Sequence, residues 1–194
     1  LAPNIRDSWF YAAVAGRAAK VLKPIKPELA KVYEDSAVKA FAWAESSYAK
    51  MEAKATWDSV DARNLSAVIL YDLTGDKAYH DIFLQTTCMK DAKADVYIHG
   101  RNIQSHAAFA YARLAADKTD PKMKENALAA ILTMADRSLQ YGSGNAFNVT
   151  NRERGRPMFA GFFGTPGGTE LVRAHYLTGK NEYLKGALQS CQFP

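Results

Sequence analysis

The string Leu73-Thr74-Gly75-Asp76-Lys77-Ala78-Tyr79 returns as Leu177-Thr178-Gly179-Lys180-Asn181-Glu182-Tyr183. Both copies fit the pattern LTGxxxY, and both fall where one run of helically spaced apolar residues stops and the next begins. Glycine at that point suits the left-handed turn beyond a helix C-terminus, so the repeat predicts the short turn of a helical hairpin. A looser version, Leu114 to Lys122, lies between the two. The hairpin units therefore recur at an irregular interval of roughly 40 to 60 residues, unlike tetratricopeptide or ankyrin arrays, whose period is fixed.

Apolar residues recur three or four apart almost everywhere and no stretch sustains strand alternation, so the spacing predicts an all-α chain. Asp7 is placed to cap a first helix through Trp9, Phe10, Ala13, Val14 and Val21. Pro24 and Pro27 close it and open a second helix that runs to about Lys50. Further helices are predicted over 59–74, from Asp76 through Phe83, and over 103–116, 121–141, 167–178 and 181–191. The stretch 86–101 reads as a long functional loop holding a short extended piece, Val96 to Ile98. Gly142-Ser143-Gly144-Asn145 breaks the pattern after the sixth helix by its turn chemistry. Short turns on one side and long loops on the other describe an α/α toroid, with odd helices inside, even helices outside and the long loops gathered on the face of a cleft. Four hairpins make an open arc, which exposes two apolar edges unless more chain or a partner covers them.

Composition narrows the function classes. Lysine and arginine outnumber aspartate and glutamate by 25 to 20, but they are spread along the chain, which argues against a nucleic-acid partner. A content of 48% hydrophobic and 23% charged residues excludes a disordered or fibrous chain. The longest charge-free run, Ser138 to Asn151, is mostly polar and shorter than the roughly 18 apolar residues of a membrane span, so no membrane segment is expected. Cys88 and Cys191 have no metal-ligand spacing and no disulfide framework around them. They leave the compartment open, with a secreted or periplasmic setting favoured over a cytoplasmic one. The chain begins at Leu1 with no apolar leader, so it is expected to be a piece of something longer.

Three segments carry a resemblance. Ser8-Trp9-Phe10-Tyr11-Ala12-Ala13-Val14-Ala15, the run from Asp61-Ala62-Arg63-Asn64-Leu65-Ser66-Ala67 into Leu70-Tyr71-Asp72-Leu73-Thr74-Gly75-Asp76, and Arg173-Ala174-His175-Tyr176-Leu177-Thr178-Gly179 resemble glycoside hydrolase family 9, the cellulases and related exo-acting glucosidases and glucosaminidases. The resemblance covers most of the chain, and its turn motif is shared with other six-hairpin glycosidases. It implies part of an (α/α)6 barrel and an inverting reaction, in which one carboxylate activates water and a distant carboxylic acid protonates the leaving oxygen. In the family the base sits in a DAGD-type motif near the start of the catalytic domain and the acid is a glutamate near its end. Neither motif occurs in these residues. The chain is thus expected to be a central part of a catalytic domain acting on β-1,4-linked glucose or glucosamine oligosaccharides. It would supply scaffold and subsites, without catalytic carboxylates and without a cofactor.

The segment Phe159 to Gly168 sits where the family carries an aromatic stretch of its cleft, and Phe163 and Thr165 are the matching substrate-binding candidates. Flat rings stack on pyranose faces, and glycines let a sugar approach the backbone. Phenylalanine and threonine stand there in place of the family's tryptophan and serine. The run His99 to His106 places hydrogen-bonding side chains at an inner-helix N-terminus, making Asn102, Gln104 and His106 candidates for sugar hydroxyls. Its plainer reading is that Asn102 or Ser105 caps the helix and His106 is a core residue. Asn64, beside Arg63, is a candidate by the same position on the third helix, with a cap or salt bridge as the plainer account. Trp9 reads as core rather than subsite, because its neighbours at helical spacing are apolar. His99 and His106 lack a third zinc ligand, so no metal is expected. Asp58, Asp61, Glu153 and Glu170 are not assigned as acid or base. Asn64 and Asn148 head glycosylation-type sequons. The rival reading is a non-catalytic helical-hairpin module that binds carbohydrate or protein on its concave face. A polysaccharide lyase on the same toroid would need a tyrosine or lysine base, which nothing in the sequence requires.

Overall fold

The computed structural model describes residues 4–51, 56–98, 102–144 and 168–191. Its helices are α1 (Ile5–Leu22), α2 (Pro27–Ala49), α3 (Trp57–Thr74), α4 (Lys77–Thr86), α5 (Ser105–Ala112), α6 (Pro121–Ser143), α7 (Gly168–Thr178) and α8 (Asn181–Cys191). The chain is all-α, as the periodicity predicts. One small departure is an antiparallel pair, β1 (Tyr97–Ile98) with β2 (Asn102–Ile103), which turns the predicted extended piece into the stem of a loop. The first helix begins earlier than expected. Asn4, not Asp7, is its cap, and the Asn4 side chain accepts from the Arg6 and Asp7 amides while Asp7 lies in the first turn. The fifth helix is shorter than its apolar pattern suggests, because Arg113 ends it and the chain passes through a 3-10 turn at Ala116–Lys118.

The two LTG turns are built alike. Gly75 and Gly179 have φ of 76° and 71°, and their amides bond back to the carbonyls of Tyr71 and His175 at 2.9 and 2.7 Å. The preceding threonines, Thr74 and Thr178, donate to the carbonyls of Leu70 and Ala174 and accept from the amides of Asp76 and Lys180. Each threonine thus adds a second donor to a carbonyl in the ending helix's last turns and satisfies one amide beyond it. Asp76 then caps α4 through the Ala78 amide, and Asp120 caps α6 through the Met123 amide.

The hairpins α1–α2, α3–α4, α5–α6 and α7–α8 pack in chain order, with α1 on α3, α3 on α5, and α6 on α7. Small residues set the approach. A Cβ at Gly16 would meet Ile69 at 3.0 Å, and one at Gly186 would meet Leu139 at 2.4 Å, so α1 lies close on α3 and α8 close on α6. Trp9, Leu70, Phe83, Tyr111 and Ile131 are fully buried in the core, which confirms Trp9 as a core residue. Apart from Met51 just past α2, the exposed large apolar side chains lie on the first hairpin with its turn, or on the last: Val14, Val21 and Ile25 at 67–69% exposure, and Val172, Tyr176 and Leu188 at 53–64%. Those are the two ends of the arc.

One polar clamp spans the first two hairpins. Arg63 on α3 donates to both carboxylate oxygens of Glu45 on α2, at 2.8 and 2.7 Å. Glu45 also accepts from the Trp9 indole of α1 at 3.0 Å, and Arg63 reaches Gln85 of α4 at 3.3 Å. The Arg63 guanidinium lies over the Tyr48 ring at 5.5 Å, and Tyr48 meets Trp9 edge-on. The salt-bridge reading of Arg63 is therefore the observed one. Arg63→Met is expected to lower unfolding stability by about 3 kcal/mol, because it leaves a partly buried carboxylate without its charge partner; denaturant titration measures this. The apolar ends are expected to make the 194-residue chain self-associate, and a single sharp monomer boundary in sedimentation velocity would contradict that expectation.

Candidate functional site

The odd and even helices alternate in antiparallel hairpins packed in chain order, so the N-termini of α1, α3, α5 and α7 share one face of the arc. On that face the starts of α5 and α7 build a polar cluster. Arg173 donates to the Glu170 carboxylate at 2.8 Å, to the Ser105 hydroxyl at 3.3 Å and to His106 Nδ1 at 2.6 Å. A guanidinium only donates, so His106 is held neutral with its proton on Nε2. Glu170 and Arg173 are both buried, and Glu170 Oε2 has no hydrogen-bond partner there. Burial pushes the Glu170 carboxyl above the usual carboxylate range, against the pull of Arg173 and Ser105. Burial likewise lowers Arg173, which Glu170 partly offsets.

Beside this cluster lies a cavity of about 420 Å³, lined by Phe109 of α5, by Gly168, Thr169, Val172, Arg173 and Tyr176 of α7, and by Ala187 of α8. Its size falls within the range of small-molecule sites. Phe109 and Tyr176 meet edge-on at 5.8 Å between centroids, and Tyr176 is 64% exposed. The Arg113 guanidinium sits 5.2 Å from the Phe109 centroid and 5.1 Å from that of Tyr176, while Arg173 sits 5.3 Å from Phe109. Among the described residues no three His, Cys, Asp or Glu side chains converge.

The predicted site residues fall in different places. His106 is the one the structure brings to this cluster. Gln104 is buried and spends its amide on Asp61, the Thr86 carbonyl and the Cys88 amide. It stands at the α5 N-cap without a side-chain cap bond, and Ser105 is the first residue of the helix, so Ser105 does not take the capping role. Asn64 is fully buried and donates to the Phe83 carbonyl and the Thr86 hydroxyl, which also removes its sequon from solvent. The backbone of Asn102 lies in β2, and its side chain is outside the described residues. Phe163, Thr165, Glu153 and Asn148 also lie outside them. Sequence reasoning missed Arg173, Phe109, Arg113 and Tyr176 as site residues and left Glu170 unassigned. The only local signal was the i, i+3 spacing of Glu170 and Arg173.

Loss of water around His106, with Arg173 and Arg17 adding positive charge, lowers its pKa to about 4. The unfolded chain takes up this proton near the ordinary value of about 6.5. The contribution to stability is therefore complete above about pH 6.5 and is lost as the pH falls toward 4. Arg17→Gln, which removes one of the two charges, is expected to raise the His106 pKa toward the ordinary value. Titration of the ring resonances by NMR would show this, and an unchanged pKa would contradict it.

No protein-family model and no curated protein sequence matches the chain. Solved structures do. A glycoside hydrolase family 9 endoglucanase, J30, superposes with a TM-score of 0.75 at 18% identity, over 94% of this chain and 35% of its own. A metagenome-derived family 9 endoglucanase gives 0.74 at 23% identity, over 97% and 36%. AaCel9A, solved in complex with cellobiose-like isofagomine, gives 0.73 at 14%, over 94% and 36%. The chain thus spans about a third of the length of these neighbours. By fold it is a part of the (α/α)6 barrel found in glycoside hydrolase family 9.

Proposed function

We propose that the chain is the scaffold and part of the substrate cleft of an inverting glycoside hydrolase acting on β-1,4-linked glucan or glucosamine oligosaccharides, with the catalytic carboxylates supplied by chain outside these residues. The observation that carries this reading is the cavity that runs along α7 from Gly168 at its start to Tyr176 in its last turn, beside the polar cluster at the odd-helix starts of a family 9-type barrel. Its exposed Tyr176 offers a flat apolar face to a pyranose, Thr169 offers a hydroxyl, and Gly168 lets a ring approach the backbone. His106, neutral with its proton on Nε2, adds a donor at the same helix end. Phe163 and Thr165 belong to the segment that leads into α7 and are proposed to complete this wall, with Asn102 at the neighbouring loop stem. Asn64 and Gln104 act from behind, Asn64 holding α3 to the end of α4 and Gln104 holding the start of α3 to the loop that precedes α5.

The carboxylates within reach of this face support placing the reaction's pair elsewhere. Glu170 is bound to Arg173, and Asp61 accepts from Gln104. Inversion needs one free carboxylate beside a water and one protonated acid across the bond. The neighbour bound to a cellobiose-like inhibitor favours a carbohydrate ligand over a protein one. The decisive experiment assays the protein at its natural length on cello- and chito-oligosaccharides with the product anomer followed by NMR. Release of the inverted anomer is expected, together with about fivefold weaker oligosaccharide binding in Tyr176→Ala. Absence of cleavage by the natural-length protein would leave a non-catalytic binding module in place of the enzyme.

A further inference from the structure

Three arginines, Arg17, Arg113 and Arg173, are electrostatically coupled across α1, α5 and α7. Arg173 is paired with Glu170, but neither Arg17 nor Arg113 has an ion-pair partner among the described residues. Arg113 and Arg173 bracket a single ring, each about 5 Å from the Phe109 centroid, and Arg113 also covers Tyr176. Phe109, Tyr176 and Arg173 are themselves walls of the 420 Å³ cavity, so the unpaired charge stands at its side. Arg17 belongs to the same field. Burial first, then the repulsion of Arg173 and Arg113, holds its pKa below the ordinary arginine value. Like charges gathered without a counter-charge cost free energy that a bound anion would recover. The planar guanidinium is the group best shaped to take a carboxylate with two parallel hydrogen bonds.

We propose that the cavity between α5 and α7 is a subsite for a carboxylated sugar, a uronic-acid unit whose carboxylate is taken by Arg113 with Arg17 and Arg173 in support. The inference rests on the carbohydrate reading above and goes beyond it, from the neutral and amino sugars named there to an acidic one. The sugar ring lies against Tyr176 and Thr169, and the carboxylate points toward the Arg113 side of Phe109. The same field repels the ammonium groups of free glucosamine units, so the face ranks sugars by charge: acidic first, neutral second, amino sugar last. An acidic sugar fits better than an acidic protein segment because the site is a cavity of single-ligand size walled by aromatic and small residues.

The test compares three β-1,4-linked trimers, of glucuronic acid, glucose and glucosamine, by titration calorimetry on the natural-length protein at low and raised salt. The glucuronic acid trimer is expected to bind about tenfold more tightly than cellotriose, and the glucosamine trimer most weakly. The advantage of the acidic trimer should shrink with salt and vanish in Arg113→Gln, read as the ratio of acidic to neutral affinity within that same variant. Arg17→Gln, on a different helix, should reduce the advantage without abolishing it. Equal binding of acidic and neutral trimers would overturn the inference and leave the carbohydrate reading intact. Binding of none of the three would overturn both. Loss of acidic and neutral binding alike in Arg113→Gln would show a packing role and overturn the inference.

Discussion

The arrangement hangs on the pairing of Arg63 with Glu45. A guanidinium with both faces of its fork occupied fixes the distance between α2 and α3, and the Trp9 indole on the same carboxylate fixes α1 against them. Hydrophobic burial sets no such register, because alanine-rich helix faces slide over one another at little cost. Ala12, Ala13, Ala15 and Ala19 make α1 such a face. The clamp supplies direction where the core supplies only attraction. It also lies in the half of the arc nearest the odd-helix starts, so the same contacts that order the hairpins hold the floor of the cleft face.

What sequence reading recovers here is what the chain decides locally. The LTG turns, the proline between α1 and α2 and the aspartate cap of α4 are each settled within a few residues, and each stands where the pattern places it. Apolar spacing identifies Trp9 as core for the same reason. The site is different in kind. His106 and Arg173 are 67 residues apart, and Ser105 and Arg173 are 68 apart, so no window along the chain contains their contact. Asn64 shows the converse error: a polar residue at a helix start looks like a ligand group until its two buried acceptors are known. The cap of α1 is missed by three residues because Asn4 and Asp7 are chemically alike, and only backbone geometry separates them.

The cleft face divides its polar residues between two tasks. Gln104 and Asp61 hold the long loop before α5 to the start of α3, and Asn64 holds α3 to the end of α4, with their hydrogen-bonding capacity turned inward. Arg173, His106 and Ser105 form a second group, of which Arg173 lines the cavity. The first group gives the second a rigid backing, which lowers the entropy lost when a ligand orders the side chains it touches. A loop held in this way behaves as part of the scaffold although it has almost no regular structure of its own.

The two LTG turns have a consequence for how such a chain changes over generations. Each closes with hydrogen bonds drawn from its own few residues, and the first adds one from the next hairpin, Lys118 to the Asp72 carbonyl. Duplicating or deleting one hairpin therefore leaves the internal hydrogen bonds of the LTG turns in place and disturbs chiefly the seams beside it. Toroids of this kind can vary in circumference, or be carried as arcs, while the chemistry of the turn stays constant.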